Sequence, residues 1–253
     1  MHVEEMRKKS DKKRSKNLFP FFYRVHDKPD GEKLAGIAEQ VKPIGIKFEV
    51  GNNISPKKIN NLLKEVENTS LEYIVNGLML RAMAKAEYSP NNIGHFGLGF
   101  GHYSHFTSPI RRYPDVIVHR LLKGYNSGAQ VYTFNQLKKD GEHCSEREKV
   151  AVEAERDSIK LKQVEFLSKK KGQSFTGIIS GVMERGIFVT LNDIYCEGMI
   201  RISDLKGDYF VYNDKRHALV GRKSGKQFQL GDEIKVRVKS TDMQKRQIDF
   251  GLA

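Results

Sequence analysis

At Gly172 the hydrophobic pattern of this chain changes period, and no other feature constrains its fold as much. Before that point apolar residues recur at spacings of three and four; after it they alternate. A chain of 253 residues with such a break is predicted to be α+β, with a mostly helical region over 18–171 followed by an all-β domain over 172–253. Strands are expected at 174–183, 186–191, 197–202, 232–239 and 247–251. The clearest alternation places Ile234, Val236 and Val238 inward and Lys235, Arg237 and Lys239 outward. Five short strands in about 80 residues suit a small closed barrel of the OB type. A long polar insertion, 204–230, separates the third strand from the fourth.

The chain holds 44 lysines and arginines against 31 acids, a formal charge of +13. A surplus of this size points to a polyanionic partner, nucleic acid first. Residues 172–253 carry 13 basic and 10 acidic side chains, so most of the surplus precedes Gly172. One source is the run Arg7, Lys8, Lys9, Lys12, Lys13, Arg14 and Lys16, in a basic arm over 1–17 that is expected to be disordered. A purely solvated arm and a sequence-blind attraction for phosphate both fit such a block. No apolar run approaches the roughly 18 residues a membrane span needs, and the N-terminus has no apolar leader core. No membrane association is therefore expected. Cys144 and Cys196 cannot build a disulfide framework, so reduced thiols and a cytoplasmic location are expected.

Helices are predicted over 32–42, from Ser55-Pro56 onward, and over 71–87. Thr133 and Gln136 form a capping box that opens a further helix reaching about Lys170, with a break or bend at Gly141. The segment 88–108 is unlike the rest: five aromatics, three histidines and four glycines share it. Its histidines, with His119, His143 and the two cysteines, lack the paired spacing of a zinc site, so no metal ligand is assigned.

Chemistry concentrates in HYSHFTSPIRRYPDVIVHRLL, residues 102–122. Ser108-Pro109 is a helix-opening signal, and Arg111 and Arg112 fall in the turn that follows. Cations are disfavoured at a helix N-terminus. Either a bound anion such as a phosphodiester holds them there, or they pair with an internal carboxylate such as Asp115. Pro114 requires either a kink or a separate turn at 108–113 before the helix.

The stretch HFGLGFGHYSHFTSPIRRYPDVIVHRLL resembles the signature of the ribonuclease II and ribonuclease R exoribonucleases, the RNB family, and FYRVHDKP resembles the same family. The resemblance runs from about Leu18 through EHCSEREKVAVEAERD to the C-terminus. It implies processive 3′-to-5′ hydrolysis of single-stranded RNA to nucleoside monophosphates, using Mg2+. Arg111 falls on the family arginine that contacts the scissile phosphate, which implies a catalytic role. Arg112, Thr107 and Ser108 lie beside it as backbone-positioning candidates, and Glu155 matches a position near the terminal nucleotide. Tyr103, His105 and Phe106 match the motif as core support.

One departure is large. The family holds its metal with closely spaced aspartates, and this chain has no such cluster; Asp27 and Asp30 sit in a turn. The Mg2+ ligands are therefore expected upstream of this chain. It reads as a partial, C-terminal piece of the catalytic region, monomeric and inactive alone, with a non-catalytic RNA-binding module as the alternative. The terminal barrel resembles the RNA-binding domain of ribosomal protein S-one, through GIISGVMERGIFVTL, EGMIRISDL and DMQKRQIDF. That resemblance maps RNA-binding positions onto Phe188, Arg201, Asp242 and Arg246. Arg185 stands where an aromatic is usual and Arg201 where histidine is usual, which favours backbone grip over base preference. Lys235, Arg237 and Lys239 are further candidates for RNA contact, or an ordinary solvated face.

Overall fold

The computed structural model describes residues 19–51, 54–69, 71–214 and 216–253. The basic arm of 1–17 lies outside the described residues. The chain divides into two compact units, one of residues 1–29 with 83–153 and one of 30–82 with 154–253.

In the first unit, β1 (Tyr23–Val25) pairs antiparallel with β2 (Glu87–Ser89), with Tyr23 opposite Ser89. The Gly-rich segment folds over this strand pair through backbone bonds from Arg24 N to Tyr103 O and from His26 N to Gly94 O. Helix α4 (Tyr113–Asn126) supplies Ile117, Val118, Leu121 and Tyr125 to a core shared with Phe22, Tyr88, Leu137 and Cys144. Leu137 and Cys144 come from α5 (Phe134–Ser168), which opens on the predicted capping box: Thr133 N donates to Gln136 Oε1, and Gln136 N to Thr133 Oγ1. The break expected at Gly141 does not occur, and α5 is a continuous helix of 35 residues. The glycine has a packing reason instead, because a Cβ there would fall 2.4 Å from the Tyr88 carbonyl oxygen. Pro114 sits at the start of α4, where its missing N–H costs nothing.

The second unit holds α1 (Gly31–Val41), α2 (Pro56–Val66) and α3 (Glu72–Ala82), the last ending short of the predicted 71–87. Asp30 caps α1 by accepting from the N–H groups of Glu32 and Lys33. Beyond α5 come β3 (Ser174–Met183), β4 (Gly186–Leu191), β5 (Glu197–Arg201), β9 (Glu233–Asp242) and β10 (Gln247–Leu252). They close into a barrel in the order β10-β5-β4-β3-β9, with β10 and β5 parallel and the other pairs antiparallel. Ile234, Val236 and Val238 are buried and the alternating Lys235, Arg237 and Lys239 exposed, as the pattern predicts. Val164 and Leu167, from the end of α5, join this core.

The polar insertion is where the fold departs most from expectation. It forms a three-stranded antiparallel sheet of β6 (Phe210–Asn213), β7 (Ala218–Gly221) and β8 (Gln227–Gln229). Phe210 and Leu219 lie in apolar runs of only three or four residues and Phe228 stands alone between glutamines, too little to read as strands, yet all three extend the barrel core. No helix among the described residues is long and apolar enough to cross a membrane.

Candidate functional site

The centre of the first unit is a buried carboxylate. Asp115, in the first turn of α4, has no solvent exposure. Its Oδ2 accepts the Ser108 backbone N–H at 2.7 Å and Arg112 Nη2 at 2.9 Å. The helix begins at Tyr113, so Ser108–Arg112 is a separate turn, closed by Arg111 N and Arg112 N donating to Ser108 O. Of the two courses that Pro114 left open, the chain takes the separate turn ahead of the helix, and Asp115 is the internal carboxylate that Arg112 pairs with.

The turn separates the two arginines. Arg112 is half-buried and held by Asp115. Arg111 is exposed, with no acidic partner among the described residues. It is flanked by the exposed side chains of Ile110 and Tyr113. Thr107 is exposed as well. A guanidinium presented this way, on a turn locked from beneath, can engage a phosphate without first giving up an ion pair.

Around this turn the aromatics and histidines of 88–108 form a connected layer. Arg24 bonds Glu148 at 2.6 Å and lies over the Tyr88 ring at 4.5 Å. The Tyr88 hydroxyl bonds His105 Nδ1 at 2.9 Å, and Phe106 stacks on His119 with ring centroids 4.3 Å apart. His26 is buried, its ring bonded to Ala84 O and the Gly97 N–H. Burial pushes the Tyr88 hydroxyl up to about 12. Burial, then the charges of Arg112 and Arg24, hold His105 below the ordinary histidine range; burial and His26 lower His95. The folded chain therefore resists protonation at these two rings more than the unfolded chain does. The stability they contribute is present above the unfolded pKa of about 6.5 and is lost as pH falls below it. Thermal unfolding is expected to move to lower temperature between pH 7.5 and pH 5.5, with His105→Gln showing a smaller shift.

In the second unit the barrel carries a cleft of about 630 Å³ that brings together Arg185, Phe188 and Arg201. Register explains why: Phe188 on β4 lies opposite Met199 on β5, and Met199 lies opposite Asp249 on β10, so these residues share one barrel face. Arg201 is exposed and bonded to Asp249 at 3.3 Å. The sequence reasoning missed Lys160, Met199 and Asp249 as lining residues. Counting two residues back from Arg201 on its strand would have found Met199; Lys160 comes from α5 and had no such signal.

The other candidates lie elsewhere. Arg246, with a positive φ of 52°, bonds Asp157 at 2.5 Å. Asp242 accepts from the Lys245 N–H within its own turn. Lys235, Arg237 and Lys239 do not line the cleft, and Lys239 is bonded to Asp204 at 2.7 Å. Glu155 is exposed on α5 and belongs to the second unit, whereas Arg111 belongs to the first. Among the described residues, no group of three or more His, Cys, Asp or Glu side chains could hold a metal ion.

Comparison with known proteins gives these two sites a context. Residues 11–128 match the RNB domain model and residues 168–252 match the S1 RNA binding domain model. Ribonuclease R of Aquifex aeolicus is 41% identical over 237 residues, covering 92% of this chain and 34% of the relative. Ribonuclease R of Escherichia coli is 36% identical over 245 residues, covering 92% of this chain and 30% of the relative. The chain thus spans about a third of the length of these relatives. Mycoplasma genitalium RNase R, solved in its apo form and with ribose methylated single-stranded RNA, superposes with a TM-score of 0.82 at 30% identity. Each of those superpositions covers 93% of this chain and 38% of the other. With a match to the RNB domain model followed by a match to the S1 RNA binding domain model, the chain is similar along most of its length to the ribonucleases R, members of the RNB family.

Proposed function

We propose that this chain is the RNA-gripping portion of a 3′-to-5′ exoribonuclease that degrades single-stranded RNA processively to nucleoside monophosphates. The observation that carries this reading is Arg111, exposed and without an acidic partner among the described residues, on a turn locked to the buried Asp115. A guanidinium so placed can hold a phosphodiester and stabilise the negative charge that grows on it during hydrolysis. The barrel cleft, with Arg185, Phe188 and Arg201, supplies a second grip, combining charge with a ring on which a base can stack.

Mg2+ belongs to this proposal by family resemblance, and the described residues do not fit it. Metal-assisted phosphoryl hydrolysis requires several carboxylates converging on the ions. Asp115 is committed to Ser108 and Arg112, and Glu148 to Arg24. No step is therefore assigned to a metal held by these residues.

The same observation favours a second reading for the isolated chain, a non-catalytic RNA-binding module. The purified chain is expected to bind labelled single-stranded RNA without releasing mononucleotides in Mg2+. Its affinity should fall with salt at a slope of about −0.7 per phosphate neutralised. Mononucleotide release that EDTA and Arg111→Ala both abolish would show that this chain is catalytic by itself. A flat salt response would remove the electrostatic grip.

A further inference from the structure

The charge of the terminal domain is unevenly placed. Residues 205–229 hold six basic and two acidic side chains, whereas the rest of 172–253 holds seven basic and eight acidic. The net positive charge of the domain thus resides in the β6–β8 sheet and its turns, and not in the barrel proper.

The turn between β7 and β8, Arg222-Lys223-Ser224-Gly225-Lys226, concentrates three of those cations. Its shape is imposed by one carboxylate. Asp208 Oδ2 accepts from Ser224 N and Ser224 Oγ, both at 2.6 Å, and from Lys223 N at 3.0 Å, while its Oδ1 accepts from Tyr209 N at 2.6 Å. These bonds hold the Asp208 carboxyl down at about 2, so the anion is spent on backbone and hydroxyl donors instead of on the lysines. The turn is tied back a second time by Arg222 N donating to Tyr209 O.

Two rings stand under the cations. Arg222 lies 4.9 Å from the centroid of Tyr209, which is 68% exposed, and Lys226 lies 5.0 Å from that of Phe228. None of Lys206, Arg222, Lys223 and Lys226 has an acidic partner among the described residues; the same holds for Arg185, Lys235 and Arg237, but only the 222–226 turn gathers three such cations beside aromatic rings. Unpaired cations interleaved with an exposed aromatic, on a turn whose shape is already set, match the charge and stacking requirements of a single-stranded ribose-phosphate chain.

We propose that the Asp208-locked turn 222–226, with Tyr209, is a second contact for single-stranded RNA, distinct from the barrel cleft and gripping the phosphate backbone without regard to sequence. It rests on the reading of this chain as an RNA binder and adds a surface to it. Asp208 acts as a positioning residue: it touches no RNA and presents the cations in one arrangement.

The test measures the affinity of the whole chain for two oligouridylates across a salt series. The long one exceeds the cleft, and the short one, about 6 nucleotides, fills a single OB-type site. R222A/K223A/K226A is expected to weaken binding of the long RNA about tenfold near 0.1 M salt and to reduce the salt slope by about 2. Binding of the short RNA should be unchanged. K57A/K58A/K64A removes the same charge from the exposed face of α2 and serves as the control; an equal loss with this variant would overturn the proposal in favour of diffuse attraction. Asp208→Ala raises the net charge by one, so overall charge alone would tighten binding. The proposal expects about a threefold weakening of long-RNA binding, with an unchanged melting temperature for R222A/K223A/K226A confirming the fold. An unaltered salt slope in that triple variant would also overturn it. If the unaltered chain binds neither RNA, the underlying RNA-binding reading fails, and that result is distinct from a normal chain whose turn variants behave like wild type.

Discussion

Arg111→Ala, placed in a ribonuclease of its relatives' full length, is expected to lower single-turnover RNA cleavage about 10²–10³-fold while weakening RNA binding far less. The asymmetry follows from where the guanidinium stands. Under the proposed function it is one of many cations that attract the RNA backbone, so its loss removes little total grip. In the proposed role at the scissile phosphate it would face charge that grows between ground state and transition state, and only interactions that strengthen on that path change the rate. Exposure without an acidic partner is what makes this possible, since no internal ion pair must break first. Phe188→Ala should show the opposite pattern, with weaker binding and near-normal cleavage once RNA is saturating. Phe188 is a cleaner choice than Arg246, whose bond to Asp157 would confuse the result. Equal losses of rate and affinity in both variants would mean that Arg111 has no special place at the reacting phosphate.

Asp115→Ala is expected to cost about 3 kcal/mol of folding stability, read by chemical denaturation. The carboxylate has no solvent exposure, and its Oδ2 serves two donors. Deleting it strands the half-buried Arg112 guanidinium and leaves the Ser108 N–H without its acceptor. Arg112 keeps partial access to water, which places the cost at the low end of the range for broken buried pairs. Removing Arg112 in the same chain should recover part of the loss, because no unpaired charge then remains; a double-mutant cycle measures that coupling. Asp115→Asn retains an acceptor for Ser108 and should be milder than Asp115→Ala. A loss below about 1 kcal/mol for Asp115→Ala would place the anchoring of this turn elsewhere.

Much of the architecture was legible without coordinates, and particular residues show why. Thr133 and Gln136 bond one another across a single helical turn, so their spacing alone announced the start of α5. The alternation at 234–239 required only that a strand show one face to a core. The β6–β8 sheet was hidden because its three anchors, Phe210, Leu219 and Phe228, sit one per short strand and make no periodic pattern. Gly141 misled for a related reason. Glycine weakens an isolated helix, but here its missing side chain admits the Tyr88 carbonyl, a neighbour 53 residues away in sequence.

The candidate site divides along the same line. That the segment 107–115 carries two arginines, an acid and a turn signal was fixed by residue order, and so was the resemblance of 95–122 to the RNB signature. Which arginine is spent and which is free was not. Both Arg111 and Arg112 lie within reach of Asp115 in sequence, and only the fold, by closing the Ser108–Arg112 turn ahead of Tyr113, gives Asp115 to Arg112 and turns Arg111 outward. In the barrel, the resemblance to the S-one-type domain named Phe188 and Arg201, whereas the joining of β10 to β5 brought in Asp249 and the path of α5 brought in Lys160. Local propensity acts through bonds between near neighbours and is written in the order of residues. Partnership among charges depends on burial and on chain closure over long separations, and these exist only once the chain has folded.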